Sequence, residues 1–356
     1  MFRLVTQNIL SSQLSAASFL PKCRREHCDP KFRMQLLLGR LEKEIRLASN
    51  YRPVVFCLQE VHVDQAQTLQ EFFQAKGFGF HHAPYNHVLG VSVAYPLKEF
   101  TLVNPARTVK VFEEKVGGWG SKEGEDIMDE AWKVASRYRH NQFVCLELEF
   151  NRHRVNVGSV HLPCAYLSPA AMTVHSLIAF QYMQQLKHPF ILAGDFNFKP
   201  NSPQYLLATT GKLPPQVVDL LDPSTHGKLS QPVSDLYAGD PFQFALDSVL
   251  CSALREFWGE EPPFTNYVYT SSGKRNFHAT LDYIFYHPGS TSSQGTIGTS
   301  SPLKCVSAAD LKRNCARVKK RGPSLPNEEE PSDHLLLHAD FRLGDPIPVN
   351  VRDYLL

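Results

Sequence analysis

The sequence predicts one α/β domain. Short apolar runs bounded by turn residues recur along the chain, and amphipathic helical stretches lie between them. No internal repeat and no long linker separates the two kinds of segment. With 356 residues, 43% hydrophobic and 20% charged, the chain has globular composition and is long enough for a sizeable core.

The elements follow in order. Residues 2–8, FRLVTQN, alternate and read as a first strand. In DPKFRMQLLLGRLEKEIRLAS, Leu37, Leu41 and Ile45 fall at helical spacing, and Asp29-Pro30 is a helix-start signal. Residues 54–60, VVFCLQE, form a short buried strand. Residues 64–77 form a helix closed by Gly77. LGVSVAYP, FVCLELEF and RVNVGSVHL read as strands, and AAMTVHSLIAFQYMQQL as an amphipathic helix. FILAGDFN is a strand, DSVLCSALREFWG a helix, LDYIFYH a strand and HLLLHADF a strand. Two segments read as mobile surface excursions. One is residues 111–133, polar and glycine-containing. The other is residues 288–327, which opens with a Ser/Thr/Gly-rich run over 288–302.

Several classes are excluded. A net charge of +2 declares no overall field for nucleic acid. The eight cysteines show no C-x-x-C pair, so neither a disulfide framework nor a zinc site is expected, and they read as reduced and mostly buried. Thr6, Gln7 and Asn8 interrupt the first apolar run, so no signal peptide is expected, and no apolar run reaches membrane-spanning length. The expected location is the cytoplasm or the nucleus.

One event recurs. Asn8 ends the first strand, Glu60 ends CLQE, His161 ends VNVGSVH, and Asp195 and Asn197 end AGDFN. Asp282 lies in LDYIF, and Asp333 and His334 open SDHLLL. Strand ends are where loops converge into a site. This set suits phosphoester hydrolysis. Mg²⁺ takes few carboxylates and keeps waters. Glu60 is its natural ligand, with Asp195, Asn8 and Asp333 as further candidates. Asp195 can deprotonate or orient the attacking water, while Asn8 and Asn197 hold phosphate oxygens or that water. A histidine paired with an aspartate becomes a better cation for the developing charge. Because alternate strand residues share a face, Asp195 and Asn197 are expected to reach one phosphate while Phe196 packs inward.

Each signal has a bland alternative. Glu60 alone reads as a solvated carboxylate, GDFN as a turn, SDH as a cap and His161 as a core histidine. Their weight is joint and lies in their order.

The ordered set Asn8, LQE at 58–60, His161, GDFN at 194–197, LDYIF at 281–285 and SDH at 332–334 resembles the endonuclease/exonuclease/phosphatase superfamily, with its deoxyribonuclease I-like fold. FTNYVYT, LDYIFY and LPNEEEPSDHLLLHADF look like the clade of carbon-catabolite-repression-type deadenylases, nocturnin, Angel and the 2′,5′-phosphodiesterase. The resemblance implies two mixed β-sheets packed face to face with helices on the outer faces. It implies Mg²⁺ on Glu60, one or two ions in all, with Mn²⁺ as a substitute. Asn8, Asp195 and Asn197 would surround a second metal position or the nucleophilic water. His334, steered by Asp282, and His161 would contact the phosphate. Asn266 and Phe277 match positions that hold and stack a terminal adenine, although Phe277 also reads as core. The chain departs from the clade at HLPCAYLSP, where a Trp-Asp-Pro-like stretch is usual, and in the longer basic segment SSGKRN before Phe277.

The favoured reading is a Mg²⁺-dependent 3′-to-5′ exoribonuclease with adenylate preference. The alternatives are a 2′,5′-oligoadenylate phosphodiesterase, a dinucleotide 2′-phosphatase and a 2′,3′-cyclic phosphate hydrolase. An abasic-site DNA endonuclease is more distant. A different class is an inactive RNA-binding pseudoenzyme, whose signature, a lost metal carboxylate, is absent. The expected partner is RNA or an oligonucleotide. No membrane contact is expected, and no scaffold contact through leucine-rich repeats. Residues 304–322 hold seven Lys/Arg against one Asp and read as a basic helix, either a phosphate-backbone contact or a solvated face.

Overall fold

The structure, a computed structural model, describes residues 1–48, 52–85, 88–114, 140–164, 169–213, 245–270, 275–288 and 303–344. In chain order its elements begin with β1 (Phe2–Asn8), α1 (Arg25–Cys28), α2 (Pro30–Leu47), β2 (Val54–His62), α3 (Val63–Ala75), β3 (Phe78–Tyr85) and β4 (Leu89–Pro96). There follow β5 (Phe100–Leu102), β6 (Arg107–Lys110), β7 (Gln142–Phe150), β8 (His153–His161), α4 (Pro169–Gln184), β9 (Phe190–Asp195) and α5 (Pro203–Thr210). The last are β10 (Cys251–Ser252), α6 (Ala253–Trp258), β11 (Asn266–Thr270), β12 (Arg275–Ala279), β13 (Asp282–His287), β14 (Leu303–Ala308), α7 (Leu311–Arg321) and β15 (Leu337–Leu343).

Two mixed sheets carry the fold. One runs β14-β15-β1-β2-β4-β3 and the other β10-β13-β9-β8-β7-β5, with β6 also on β7. The pairs β1–β2 and β8–β9 are parallel and the rest antiparallel. Side-chain alternation sorts the layers. Val55 and Cys57 of β2 meet Val157, Ile191, Ala193 and Ile284 of the second sheet in a shared core. Val54, Phe56 and Leu58 face the other way, onto Leu37 and Leu41 of α2 and Leu69 and Phe73 of α3. Beyond the second sheet, Phe143, Leu192 and Phe285 pack on Met172, Leu177 and Phe180 of α4. The result is helix, sheet, sheet, helix, as the resemblance implied.

Four local expectations change. α4 is not amphipathic, because residues 171–180 are all buried. Val111, Tyr205 and Leu207 cover its outer side. The helix expected from Asp247 begins at Ala253, because Cys251 and Ser252 are taken by pairing with Tyr286 and Phe285. The last strand begins at Leu337 rather than His334. Residues 333–335 turn to β11 instead: Tyr267 N donates to Asp333 O at 2.9 Å, and Leu335 N to Thr265 O at 2.7 Å. The excursion expected over 288–327 contributes β14 to the edge of the first sheet and then α7, whose Leu311, Cys315 and Val318 are buried. Asp310 caps α7, accepting from Arg313 N at 3.2 Å. Residues 115–133 and 289–302 of the expected excursions lie outside the described residues, as does 165–168 of HLPCAYLSP.

Candidate active site

Strand register builds the site. β8, β9 and β13 bring His161, Asp195 and Asp282 into one row, since His161 pairs with Asp195 and Asp195 with Asp282. In the first sheet, Asn8 ends β1 opposite Gln59. Pairing of β2 with β4 shifts between Leu58 and Val61, and Glu60 sits in that irregularity with φ 55°. A bulge re-aims a side chain that regular alternation would send elsewhere. Left-handed backbone at a non-glycine residue costs of order 1–3 kcal/mol and persists where its surroundings impose it.

Gly194 explains the glycine of GDFN. Its φ is 149°, and a Cβ there would lie 2.0 Å from Val160 O. No larger residue lets β9 run this close to β8 and deliver Asp195 beside His161. Beyond Asp195 the alternation argument fails. Asn197 takes φ 57°, its N–H donates to Asp195 Oδ1 at 2.9 Å, and its Nδ2 donates to Leu162 O at 2.9 Å. Asn197 therefore joins the site as a brace on Asp195 and the β8 end, through a tight turn. Phe196 is fully buried, as expected.

The polar groups converge. Asn8 Nδ2 donates to both Glu60 Oε1 and Asp195 Oδ2, each at 3.0 Å, and Ser11 N–H donates to Glu60 Oε2 at 3.0 Å. Asp195 Oδ2 lies 3.6 Å from His161 Nε2 and 3.7 Å from His334 Nε2. His334 Nδ1 is 2.8 Å from Asp282 Oδ2, and Tyr85 OH is 2.5 Å from His161 Nδ1. Asn8, Glu60, His161, Asp195, Asp282 and His334 are all buried. The structure thus brings six of the predicted residues into one web.

Electrostatics follow from that burial. Burial pushes the Asp195 carboxyl up to about 6, against the opposing pull of His334 and His161. Burial also disfavours the charged forms of His334 and Glu60, but in both cases the neighbours win. Asp282 and Asp195 hold His334 well above the ordinary histidine value. His161, Asn8 and the Ser11 N–H hold Glu60 below the carboxylate value.

The donor set fits a hard divalent cation. Two carboxylates, Glu60 and Asp195, both accept from the amide nitrogen of Asn8 and so lie side by side, and Mg²⁺ is held by one or two carboxylates with waters completing its shell. Asp282 Oδ1 is a further buried acceptor with no hydrogen-bond partner among the described residues. Asp195, Asp282 and His334 also offer ligand atoms within 4.8 Å of one another. His334 Nδ1 is already bonded to Asp282, however, so that trio reads first as a charge pair beside a base.

The remaining predicted residues sit at the rim. Asp333 is engaged by polar side chains, accepting from Asn266 Nδ2 at 3.0 Å and from Ser332 Oγ at 3.4 Å. Asn266 pairs with Ala279 across the β11–β12 hairpin, and its Oδ1 is buried with no partner among the described residues. Phe277, opposite Val268, packs against the small cluster of Leu10, Leu20, Cys28 and Val268, with Lys199 Nζ 5.5 Å above its ring. It lies outside the three large clusters that pack the sheets against each other and against α2, α3 and α4. The intervening residues 271–274 lie outside the described set.

Sequence reasoning missed four supports. Thr265 Oγ1 donates to Asp282 Oδ2 at 2.5 Å, although FTNY was in view. Ser332 Oγ donates to Asn8 O at 2.7 Å and accepts from His334 N at 3.1 Å, joining two segments 324 residues apart. Arg33 is buried and donates to Leu10 O and, at 2.9 Å, to Ile9 O, fixing the loop after Asn8. Its signal was an arginine on the Leu37–Leu41 stripe of α2. Tyr85 had no local signal, because its contact exists only between sheets.

The comparisons with known proteins agree with this geometry. The chain is 25% identical over 377 residues to Carbon catabolite repressor protein 4 homolog 1 of Arabidopsis thaliana, across 96% of this chain and 57% of that protein. It is 31% identical over 163 residues to the CCR4-Not complex 3′-5′-exoribonuclease subunit Ccr4 of Aspergillus fumigatus, across 46% of this chain and 19% of that protein. The chain thus covers only 57% and 19% of the length of these two relatives. The solved structure of ANGEL2, a 2′,3′-cyclic phosphatase, in complex with adenosine-2′,3′-vanadate matches with TM-score 0.70 and 20% identity, over 96% of this chain and 95% of that one. The human Nocturnin catalytic domain with bound sulfate matches with TM-score 0.57 and 19% identity, over 96% and 93%. These structural likenesses show the fold. A family model spanning residues 6–334, from within β1 to the histidine bonded to Asp282, matches as well, and by it the chain belongs to the Endonuclease/Exonuclease/phosphatase family.

Proposed function

We propose that the chain is a Mg²⁺-dependent phosphoester hydrolase acting on RNA, a 3′-to-5′ exoribonuclease with preference for adenylate ends, working in the cytoplasm or nucleus. The observation that carries the reading is Asp195. Its Oδ2 stands between Asn8 Nδ2 and the Nε2 atoms of two histidines, and burial pushes its carboxyl up to about 6. A group so poised can take a proton from water near neutral pH. His334, kept cationic by Asp282, and His161, braced by Tyr85, present N–H donors where charge builds on the phosphoryl oxygens. Asn8 and Asn197 fix the Asp195 carboxylate through one hydrogen bond to each oxygen. When bound at Glu60, beside Asn8 and Asp195, Mg²⁺ supplies Lewis-acid polarisation of the phosphate. Asn266 and Phe277 would hold and stack the terminal base.

A panel of labelled substrates tests the reading: poly(A), mixed-sequence RNA, 2′,5′-linked adenylate, NADP, cyclic-ended RNA and abasic DNA, each with Mg²⁺ and with chelator. The expected result is stepwise shortening of poly(A) from its 3′ end, abolished by chelator and restored by Mg²⁺ or Mn²⁺. Turnover confined to the 2′,5′-linked, dinucleotide or cyclic-ended substrates would move the activity to one of those classes. RNA binding with no hydrolysis of any substrate would make the chain a pseudoenzyme.

A further inference from the structure

Away from the web around Asp195, a groove of about 840 Å³ runs between α2 and α7. Its walls are cationic: Arg40 and Lys43 from α2, and Arg313, Arg317, Lys320 and Arg321 from α7. The arrangement follows from the sequence of α7, LKRNCARVKKR. Leu311, Cys315 and Val318 are buried at helical spacing and fix how the helix lies. Arg313, Arg317 and Lys320 then repeat at the same spacing on another face, one cation about every 5.4 Å turn.

Half of these charges are already met. Arg40 pairs with Glu330 at 2.8 Å, Arg317 with Glu329 at 2.9 Å and Glu330 at 3.0 Å, and Arg321 with Glu329 at 2.6 Å and Glu328 at 3.3 Å. The other two acids at the groove are engaged elsewhere, Glu44 with Arg3 and Asp310 as the α7 cap. Lys43, Arg313 and Lys320 are exposed and have no ion-pair partner among the described residues. The groove is bounded by Leu335 and Leu336, the two residues that follow His334.

We infer that this groove binds the phosphate backbone of single-stranded RNA, as an exosite for the body of the substrate whose end is cleaved. The inference rests on the proposed function. Concavity, with unpaired cations spaced along it, suits a strand with repeating anions better than a flat lipid surface. An acidic peptide is disfavoured because the chain's own acidic segment, Glu328 to Glu330, already takes the arginines that such a peptide would use. What remains is three separate point charges, which successive phosphates can engage one after another. The segment that borders the groove, Leu335 and Leu336, is continuous in sequence with His334.

The test uses the full chain and the triple variant Lys43→Ala, Arg313→Ala, Lys320→Ala, none of which touches the catalytic web. Fluorescence anisotropy with a long labelled oligoadenylate, in chelator and over a salt series, reads binding independently of hydrolysis. The expected loss of affinity is about tenfold or more at low salt. The slope of log K against log salt should fall by about 2, as for three lost phosphate contacts to a single strand. Hydrolysis of a dinucleotide should be unchanged, whereas kcat/KM on the long oligomer should fall. Unchanged affinity and slope would overturn the exosite. So would binding of poly-glutamate or of phosphatidylserine vesicles that the variant loses while RNA binding stays intact. If wild-type protein binds RNA through these residues yet cleaves none, the exoribonuclease reading fails and the groove stands. If it cleaves RNA with no dependence on them, the groove fails alone. Equal melting temperatures for variant and wild type exclude misfolding.

Discussion

His334 Nδ1 lies 2.8 Å from Asp282 Oδ2, and Thr265 Oγ1 donates to that same oxygen at 2.5 Å. The hydroxyl in turn accepts the backbone N–H groups of Leu281 and Asp282 at 2.9 and 3.0 Å. One threonine therefore fixes the carboxylate that fixes the histidine. The Nε2 end of the ring is left to face Asp195. Replacing Asp282 by Asn keeps this shape and removes the charge. We predict that Asp282→Asn lowers kcat on RNA and on bis-nitrophenyl phosphate by about two orders of magnitude or more, the size of a lost acid–base partner. The Mg²⁺ concentration giving half-maximal activity should stay unchanged. A variant with wild-type kcat would make the Asp282–His334 pair structural.

Glu60→Gln probes the cation. The substitution keeps size but gives one amide group to a position where Asn8 Nδ2 and Ser11 N–H both donate. Activity should fall at least a hundredfold on every substrate, since metal polarisation is worth several kcal/mol. Binding to the native state alone raises stability by mass action, so Mg²⁺ should raise the melting temperature of wild type and not of the variant. Retained activity with the same Mg²⁺ dependence would remove Glu60 from the metal site.

Stability against pH rests on a different acid. Asp340 accepts from Arg3 Nε at 2.7 Å and from Arg52 Nη1 at 2.9 Å, and Arg3 also meets Glu44 at 3.1 Å. Burial would raise the Asp340 carboxyl, but Arg3 and Arg52 hold it below the usual value. A depressed folded-state value means that the contribution is present above the unfolded value, about 3.9. It is lost as pH falls through the folded value. Asp340→Asn should cost about 3 kcal/mol at neutral pH, the lower end for a broken buried pair, because Arg3 keeps Glu44. Chemical denaturation should show the gap between wild type and variant constant from neutrality to about pH 5 and closing below about pH 4. A gap that widens on acidification would reverse the sign of this argument.

Asn8, Glu60, His161, Asp195, Asp282 and His334 were legible in the sequence because each ends or flanks a strand. A strand end with a polar residue is a local feature that one sequence can display. What joins the residues was not local. Tyr85 reaches His161 from the other sheet, Ser332 reaches Asn8 across 324 positions, and Arg33 supports the loop after Asn8 from a helix. Asn197 was named for a reason that the backbone does not obey, since a residue with φ 57° has left the strand alternation. The face of α4 was misread because periodicity cannot say that a second layer, with Tyr205 and Leu207, covers the outer side. The basic helix within 304–322 was legible and forms α7, but placing it in a surface excursion was a misreading, because Leu303, Cys305, Cys315 and Val318 are buried.

Asp195→Asn separates chemistry from binding. Asparagine can still accept from Asn197 N–H, as Asp195 Oδ1 does at 2.9 Å, so the turn should hold. The ability to take a proton is gone. Turnover should be abolished while the dissociation constant for RNA in chelator changes by less than about threefold, because the work of this group belongs to the transition state. A loss confined to KM would make Asp195 a positioning residue.

Phe277→Ala tests the adenylate preference. Phe277 is only partly buried, against Leu10, Leu20, Cys28 and Val268, with Lys199 Nζ 5.5 Å over its ring. Its truncation should therefore cost less than the roughly 3–5 kcal/mol of a fully enclosed phenylalanine. If the ring stacks on the terminal base, the variant should lose roughly 1–3 kcal/mol on nucleic-acid substrates, the usual worth of one base on one aromatic face. Adenylate ends should suffer more than pyrimidine ends, because a purine offers more stacking area. Hydrolysis of bis-nitrophenyl phosphate should barely change, since the web from Asn8 to His334 is untouched. Lys199→Met distinguishes ring from cation: it removes the charge over the ring but leaves the ring in place, so base preference should persist. Steady-state kinetics on adenylate-ended, pyrimidine-ended and small substrates, read beside thermal melting, decide the matter. Equal losses on all three with a depressed melting temperature would place Phe277 in the packing of the β11–β12 hairpin and remove the main support for adenylate specificity.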